Sequence, residues 1–173
     1  MQKSTNSRNN SPESERISLA IGSDHRGFEL KSYIVRYFQD LGYNVVDIGT
    51  DSTESADYTD YAIKVGEMVS SGRCKYGILI CNTGIGMSIA ANKVKGVRAA
   101  LCCDTEMARI ARLHNDANII CLAGGYIKKD EAIKMVEAFL RTEFEGTSCT
   151  GERHYRRVRK IIDYEGRGKY EQA

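Results

Sequence analysis

The sequence predicts an α/β fold: a five-stranded parallel sheet covered on both faces by helices, with a further helix at the C-terminal end. Two observations predict it. Five short runs of apolar, largely β-branched residues recur along the chain, and each is followed by a longer segment whose apolar residues recur at helical spacing. Strands that read as near-continuous apolar runs are buried on both faces. Regular alternation with amphipathic helices is the pattern of βαβ units.

The elements follow in order from Ile17. ISLAIG reads as the first strand, and FELKSYIVRYFQDLG as a helix stopped by Gly42. NVVDIG is the second strand. SADYTDYAIKVGEMVSSG reads as a helix behind an acidic, Ser-containing entry. YGILIC, VRAALCC and NIICLAG are the remaining strands, and GMSIAANKV, TEMARIARLHN (capped by Thr105) and KKDEAIKMVEAFLRTEF are the helices that follow them. RHYRRVRKIIDYE reads as a last helix. The domain is expected over 17–165, between a polar, unpatterned tail at 1–16 and a second polar tail at 166–173.

Composition narrows the function classes. With 173 residues, 42% apolar and 28% charged, the chain has the length and balance of one soluble globular domain. A net charge of +2 gives no general pull toward nucleic acid or membrane, so neither is expected as a partner. No apolar segment has the length of a membrane span, and the N-terminal tail has no apolar core of a secretory signal. The six cysteines form no C-x-x-C pair and mostly sit in apolar runs, which reads as reduced thiols in a cytoplasmic protein and not as a metal site.

In such folds ligands bind beyond the carboxyl ends of the strands. Asp24 and His25 follow the first strand, Cys81-Asn82-Thr83-Gly84 follows the third, and His114-Asn115 closes a helix. His25, His114 and Cys81 are therefore expected on or near one rim. A lone cysteine is usually a small buried hydrophobe. Cys81 differs because a Gly-rich turn and a helix N-terminus follow it, and a helix N-terminus favours negative charge. A thiol there is placed to act as a base or nucleophile. The stretch NTGIG lacks both the dinucleotide fingerprint and the Walker A ending, and its backbone N–H groups suit a small anion or a developing oxyanion. Arg153 and Arg157, at i and i+4, share a helix face and suit a phosphate or carboxylate.

GSDHRGFELK, DYTDYA, GILICNTGIGMSIAANKVKGVRAAL, RLHNDAN and FEG…GERHYRRVRKI, in this order, resemble ribose-5-phosphate isomerases of the B type, a family that also holds allose- and galactose-6-phosphate isomerases. The resemblance covers about 17–163. It implies a Rossmann-like three-layer α/β/α sandwich, a homodimer or dimer of dimers with active sites shared between subunits, no metal and no organic cofactor, and aldose–ketose interconversion of a phosphorylated sugar through an enediolate. By the same resemblance Cys81 is the base that moves a proton between C2 and C1. Thr83, with the backbone of Asn82, Gly84, Ile85 and Gly86, stabilises the enediolate. His114 opens the sugar ring and Asn115 lies beside the substrate. Asp24 and His25 contact sugar and phosphate, and Arg153 and Arg157 bind phosphate.

The chain departs from the family pattern at three places. Asn82 stands where the family usually has glycine. Gly125 stands where it commonly has a phosphate-binding arginine, with Lys128 and Lys129 nearby as substitutes. Thr147 to Thr150 form an insertion, expected as a surface loop with an exposed Cys149. The sequence thus predicts a ribose 5-phosphate isomerase of the pentose phosphate pathway. The alternatives are an allose or galactose 6-phosphate isomerase, or a phosphosugar-binding protein without catalysis.

Overall fold

A computed structural model describes residues 17–166. The expected tail at 1–16 lies outside the described residues, as does all of the second tail beyond Gly166. Five strands, β1 (Ser18–Ser23), β2 (Asn44–Asp47), β3 (Tyr76–Cys81), β4 (Ala99–Leu101) and β5 (Ile119–Ala123), form one sheet in the order β2-β1-β3-β5-β4. All four pairings are parallel. Among the described residues six helices, α1 (Phe28–Asp40), α2 (Tyr58–Ser70), α3 (Ile85–Ala91), α4 (Thr105–Asn115), α5 (Lys129–Arg141) and α6 (Glu152–Glu165), flank the sheet.

The strand sequences dictate the layers. Successive side chains leave opposite faces of a strand. In β3, Tyr76, Ile78 and Ile80 enter the core under α1, α4 and α5, while Leu79 and Cys81 enter the core under α2 and α3. β5 repeats the division, with Ile120 and Leu122 on the first face and Ile119 and Cys121 on the second. Both cores are fully buried along these strands, and each such aliphatic side chain contributes about 1.5–3 kcal/mol of transfer free energy.

Three local features differ from the sequence reading. The N-cap of α4 is Asp104, whose side chain accepts from Met107 N–H at 2.7 Å, and Thr105 is the first helical residue. A carboxylate accepts that bond at least as well as a hydroxyl, so it takes the cap position. The strand expected over VRAALCC is only Ala99–Leu101, so Cys102 and Cys103 lie beyond it, one buried and one exposed. A 3-10 turn, Glu145–Thr147, leads into the insertion and shares Thr147 with it; Thr147 to Thr150 are exposed as expected.

The chain reverses its direction of winding between β1 and β3, which are neighbours while β2 lies on the other side of β1. That switch point opens a crevice at the carboxyl edge of the sheet, between the ends Ser23 and Cys81.

Candidate active site

The crevice holds the first group of predicted residues. Asp24 is buried and accepts the backbone N–H groups of Arg26 at 2.9 Å and Gly27 at 3.0 Å through one oxygen, which fixes the turn out of β1. His25 Nδ1 accepts the backbone N–H of Ala56 at 3.2 Å. That bond puts the imidazole proton of the neutral ring on Nε2, leaving a donor for an anion. Cys81 ends β3 with its sulfur accepting the Gly84 N–H at 3.1 Å. Thr83 Oγ1 accepts the Ile85 N–H at 3.3 Å.

Two glycines of this turn are required by geometry. Gly84 has φ +74°, and a Cβ there would meet Leu101 Cδ1 at 2.6 Å. A Cβ on Gly86 would meet the Tyr58 ring at 2.7 Å, so the helix α3 starts close against that ring.

Beside the turn lies a cavity of about 490 Å³ whose lining includes His25, Arg26, Asn82, Gly125 and Lys129. Of the two lysines near Gly125, Lys129 lines this cavity, while Lys128 is the N-cap residue of α5. Asn82 and Gly125 are sterically linked. The Gly125 N–H donates to the Asn82 carbonyl at 3.0 Å, and a Cβ on Gly125 would overlap Asn82 Oδ1. The two departures from the family pattern are therefore one local rearrangement: a side chain at 82 occupies the space that a side chain at 125 needs.

His114 is not on this rim, and the expectation that it joins Cys81 there is corrected. α4 runs back from the carboxyl edge after β4, and 11 residues at 1.5 Å each carry it about 16 Å. Its end stands at the amino edge, where Arg112 bonds Ala117 O and packs over Tyr76, the first residue of β3. Asp116, just past the helix, pairs with Arg98 ahead of β4. The four-residue rise from Ile119 to Ala123 alone spans about 13 Å, so His114 and Cys81 of one chain lie at opposite ends of the sheet.

The amino edge has its own polar cluster. The rings of His114 and His154 stack with centroids 4.1 Å apart and planes 10° from parallel. Glu145 Oε1 lies 3.3 Å from His114 Nε2 and 2.9 Å from His154 Nε2. Arg153 Nε donates to the same His154 nitrogen at 2.9 Å. Burial lowers the pKa of His154 below the ordinary imidazole value, aided by the charges of His114, Arg153 and Arg157 and opposed by Glu145. Asn115 and Arg157 belong to the same edge, at the end of α4 and in α6.

His114, Glu145 and His154 offer three ligand atoms within 4.8 Å of one another. They do not converge on a cation. Nitrogen lone pairs lie in the ring plane, and two nearly parallel planes direct them side by side. Arg153 also brings its positive charge to one of the nitrogens. The arrangement suits a shared proton.

Of the predicted site residues, Asp24, His25, Cys81, Asn82, Thr83, Gly84, Ile85 and Gly86 gather at the carboxyl edge, and His114, Asn115, Arg153 and Arg157 at the amino edge. Sequence reasoning missed Glu145 and His154. His154 sits inside RHYRRVR, where the arginines dominate the pattern, and the signal that marks it is burial to 4%. Glu145 stands ahead of the insertion with no periodicity to flag it.

A fold with a switch-point crevice, a thiol at a strand end and an amide-rich turn defines a Rossmann-like α/β enzyme. The ribose/galactose isomerase family model matches residues 19–161. A probable ribose-5-phosphate isomerase B of Mycoplasma pneumoniae is 43% identical over 148 residues, 85% of this chain and 94% of that one. The solved ribose-5-phosphate isomerase B of Clostridium thermocellum superposes with a TM-score of 0.83 at 46% identity, covering 88% of this chain and all of that one. The Mycoplasma genitalium ribose-5-phosphate isomerase B, solved with bound ribulose-5-phosphate, gives 0.81 at 42% identity, covering 87% and 97%. The chain belongs to the ribose/galactose isomerase family and is a sugar isomerase. Among the described residues no helix is long and apolar enough to cross a membrane.

Proposed function

We propose that the protein interconverts ribose 5-phosphate and ribulose 5-phosphate through an enediolate, in active sites each assembled from two copies of the chain. The observation that carries this reading is the split of the polar residues between the two edges of one sheet. The carboxyl edge offers a base and oxyanion donors without a ring-opening acid or paired arginines. The amino edge offers those and lacks the thiol. A homodimer that sets one chain's amino edge against the other's carboxyl edge completes both. The apolar residues Ile85 and Ile89, at i and i+4 on α3, are 51% and 58% exposed in the single chain and suit such an interface. The relative solved with bound ribulose-5-phosphate supports the choice of sugar.

In this mechanism His114 gives a proton to the ring oxygen as the bond from that oxygen to C1 breaks, and the anomeric hydroxyl loses its proton to water as C1 becomes the aldehyde. The Cys81 thiolate removes the proton on C2. The C–H electron pair forms the C1–C2 double bond, and the carbonyl electrons move to O1. Thr83 and the backbone N–H groups of the turn hold the oxyanion. The proton on sulfur is then delivered to C1, while the hydroxyl proton passes from O2 to O1. Arg153, Arg157 and His25 bind the phosphate, which orients the reacting carbons. Neither a metal nor an organic cofactor has a step in this scheme.

The test is conversion of ribose 5-phosphate by chelator-treated enzyme, with Cys81→Ala alongside and allose and galactose 6-phosphates as competitors. Turnover of the pentose by wild type alone supports the reading. Turnover of a hexose phosphate only would move the protein to the hexose branch of the family. Folded wild type without turnover on any of the three would indicate binding without catalysis.

A further inference from the structure

We infer that Glu145 and His154 are positioning residues for His114, fixing its ring plane and its working nitrogen, and that His154 holds Arg153 in the same act. This rests on the ring-opening role given to His114 above. His154 is buried at the start of α6 and packs its ring on that of His114, so α6 limits how His114 can turn. Glu145 Oε1 faces His114 Nε2 and keeps the proton of the neutral ring on that nitrogen. Nδ1, with no partner among the described residues, is then left to exchange a proton with the sugar. A carboxylate that orients an imidazole through its other nitrogen performs the same service in hydrolase triads.

His154 Nε2 adds a second constraint. It stands 2.9 Å from both Glu145 Oε1 and Arg153 Nε. One nitrogen either carries a proton and donates to Glu145, or presents its lone pair and accepts from Arg153. When it accepts, Glu145 is left to His114 alone and Arg153 is held with its terminal amino groups free for an anion. One buried ring thus connects the group that opens the sugar to a group that binds its phosphate.

A double-mutant cycle on ribose 5-phosphate tests this. Glu145→Gln and His154→Ala are each made in the wild-type and His114→Asn backgrounds. Each is expected to lower kcat by about tenfold or more when His114 is present and by less than about twofold when it is absent. His154→Phe, which restores a ring for the stack without the nitrogen, is expected to recover kcat while KM stays raised through the loosened Arg153. Equal losses in both backgrounds would make the two residues structural and overturn the inference. A His114→Asn enzyme as fast as wild type would instead remove the ring-opening role on which the inference stands, while leaving the Cys81 chemistry intact.

Discussion

The imidazoles of His114 and His154 lie in parallel contact, 4.1 Å between centroids, and address one oxygen of Glu145. This contact joins α4, the 3-10 turn and α6 at the amino edge of the sheet. It has a consequence for stability. His154 titrates below the ordinary imidazole value of 6.5 in the folded protein, chiefly because it is buried. Between the two values the unfolded chain binds more proton than the folded one. Stability therefore rises with pH there, is fully present above about pH 6.5, and is lost as pH falls through the lowered value. Thermal melts between about pH 7.5 and 5.5 should show Tm falling with acid, and His154→Phe should flatten that slope.

Cys81 is predicted to be irreplaceable by a hydroxyl. Cys81→Ser keeps size and shape at a buried position, so folding should be preserved. The serine is a far weaker acid than the thiol, and kcat should fall by about a thousandfold or more. Initial rates of ribulose 5-phosphate formation provide the check.

Gly84→Ala is expected to harm both fold and activity. The added Cβ meets Leu101 at 2.6 Å on a backbone at φ +74°, and the shift needed moves the N–H that faces the Cys81 sulfur. Urea denaturation should give a loss of about 1–3 kcal/mol, with kcat reduced beyond what the folded fraction explains.

Asn82 and Gly125 should couple. Gly125→Arg alone drives its Cβ into Asn82, whereas Asn82→Gly first clears the space. The double variant should be more stable than the sum of the single changes by about 1 kcal/mol or more, and should bind ribose 5-phosphate with a lower KM than wild type. Additive stabilities would show that Asn82 simply swings aside.

The layers of the fold were legible because burial on both faces forces long apolar strand runs, and YGILIC and NIICLAG can be little else. The carboxyl-edge half of the site was legible for the same reason: Cys81 and Asp24 stand where those runs stop. The other half was not. Whether His114 lies at one edge or the other depends on the length of α4, since a helix that starts at the rim ends a full layer away. Residue order along the chain does not convey that. Nor does it convey that Glu145 and His154, separated by an insertion, meet on His114. The cap lies at Asp104, one residue before Thr105; Asp and Thr are both good caps, and only the accepted bond distinguishes them.

The central feature of the proposed enzyme is a site built from two chains. The direct measurement is complementation: Cys81→Ala and His114→Ala proteins are purified separately, mixed, dissociated and reassociated, and assayed on ribose 5-phosphate. Random reassociation of dimers makes half of them hybrid, each with one intact site of two, so activity should recover toward about a quarter of wild type. Activity that stays at the level of the separate variants, in a mixture proven to contain hybrids, would contradict the shared site.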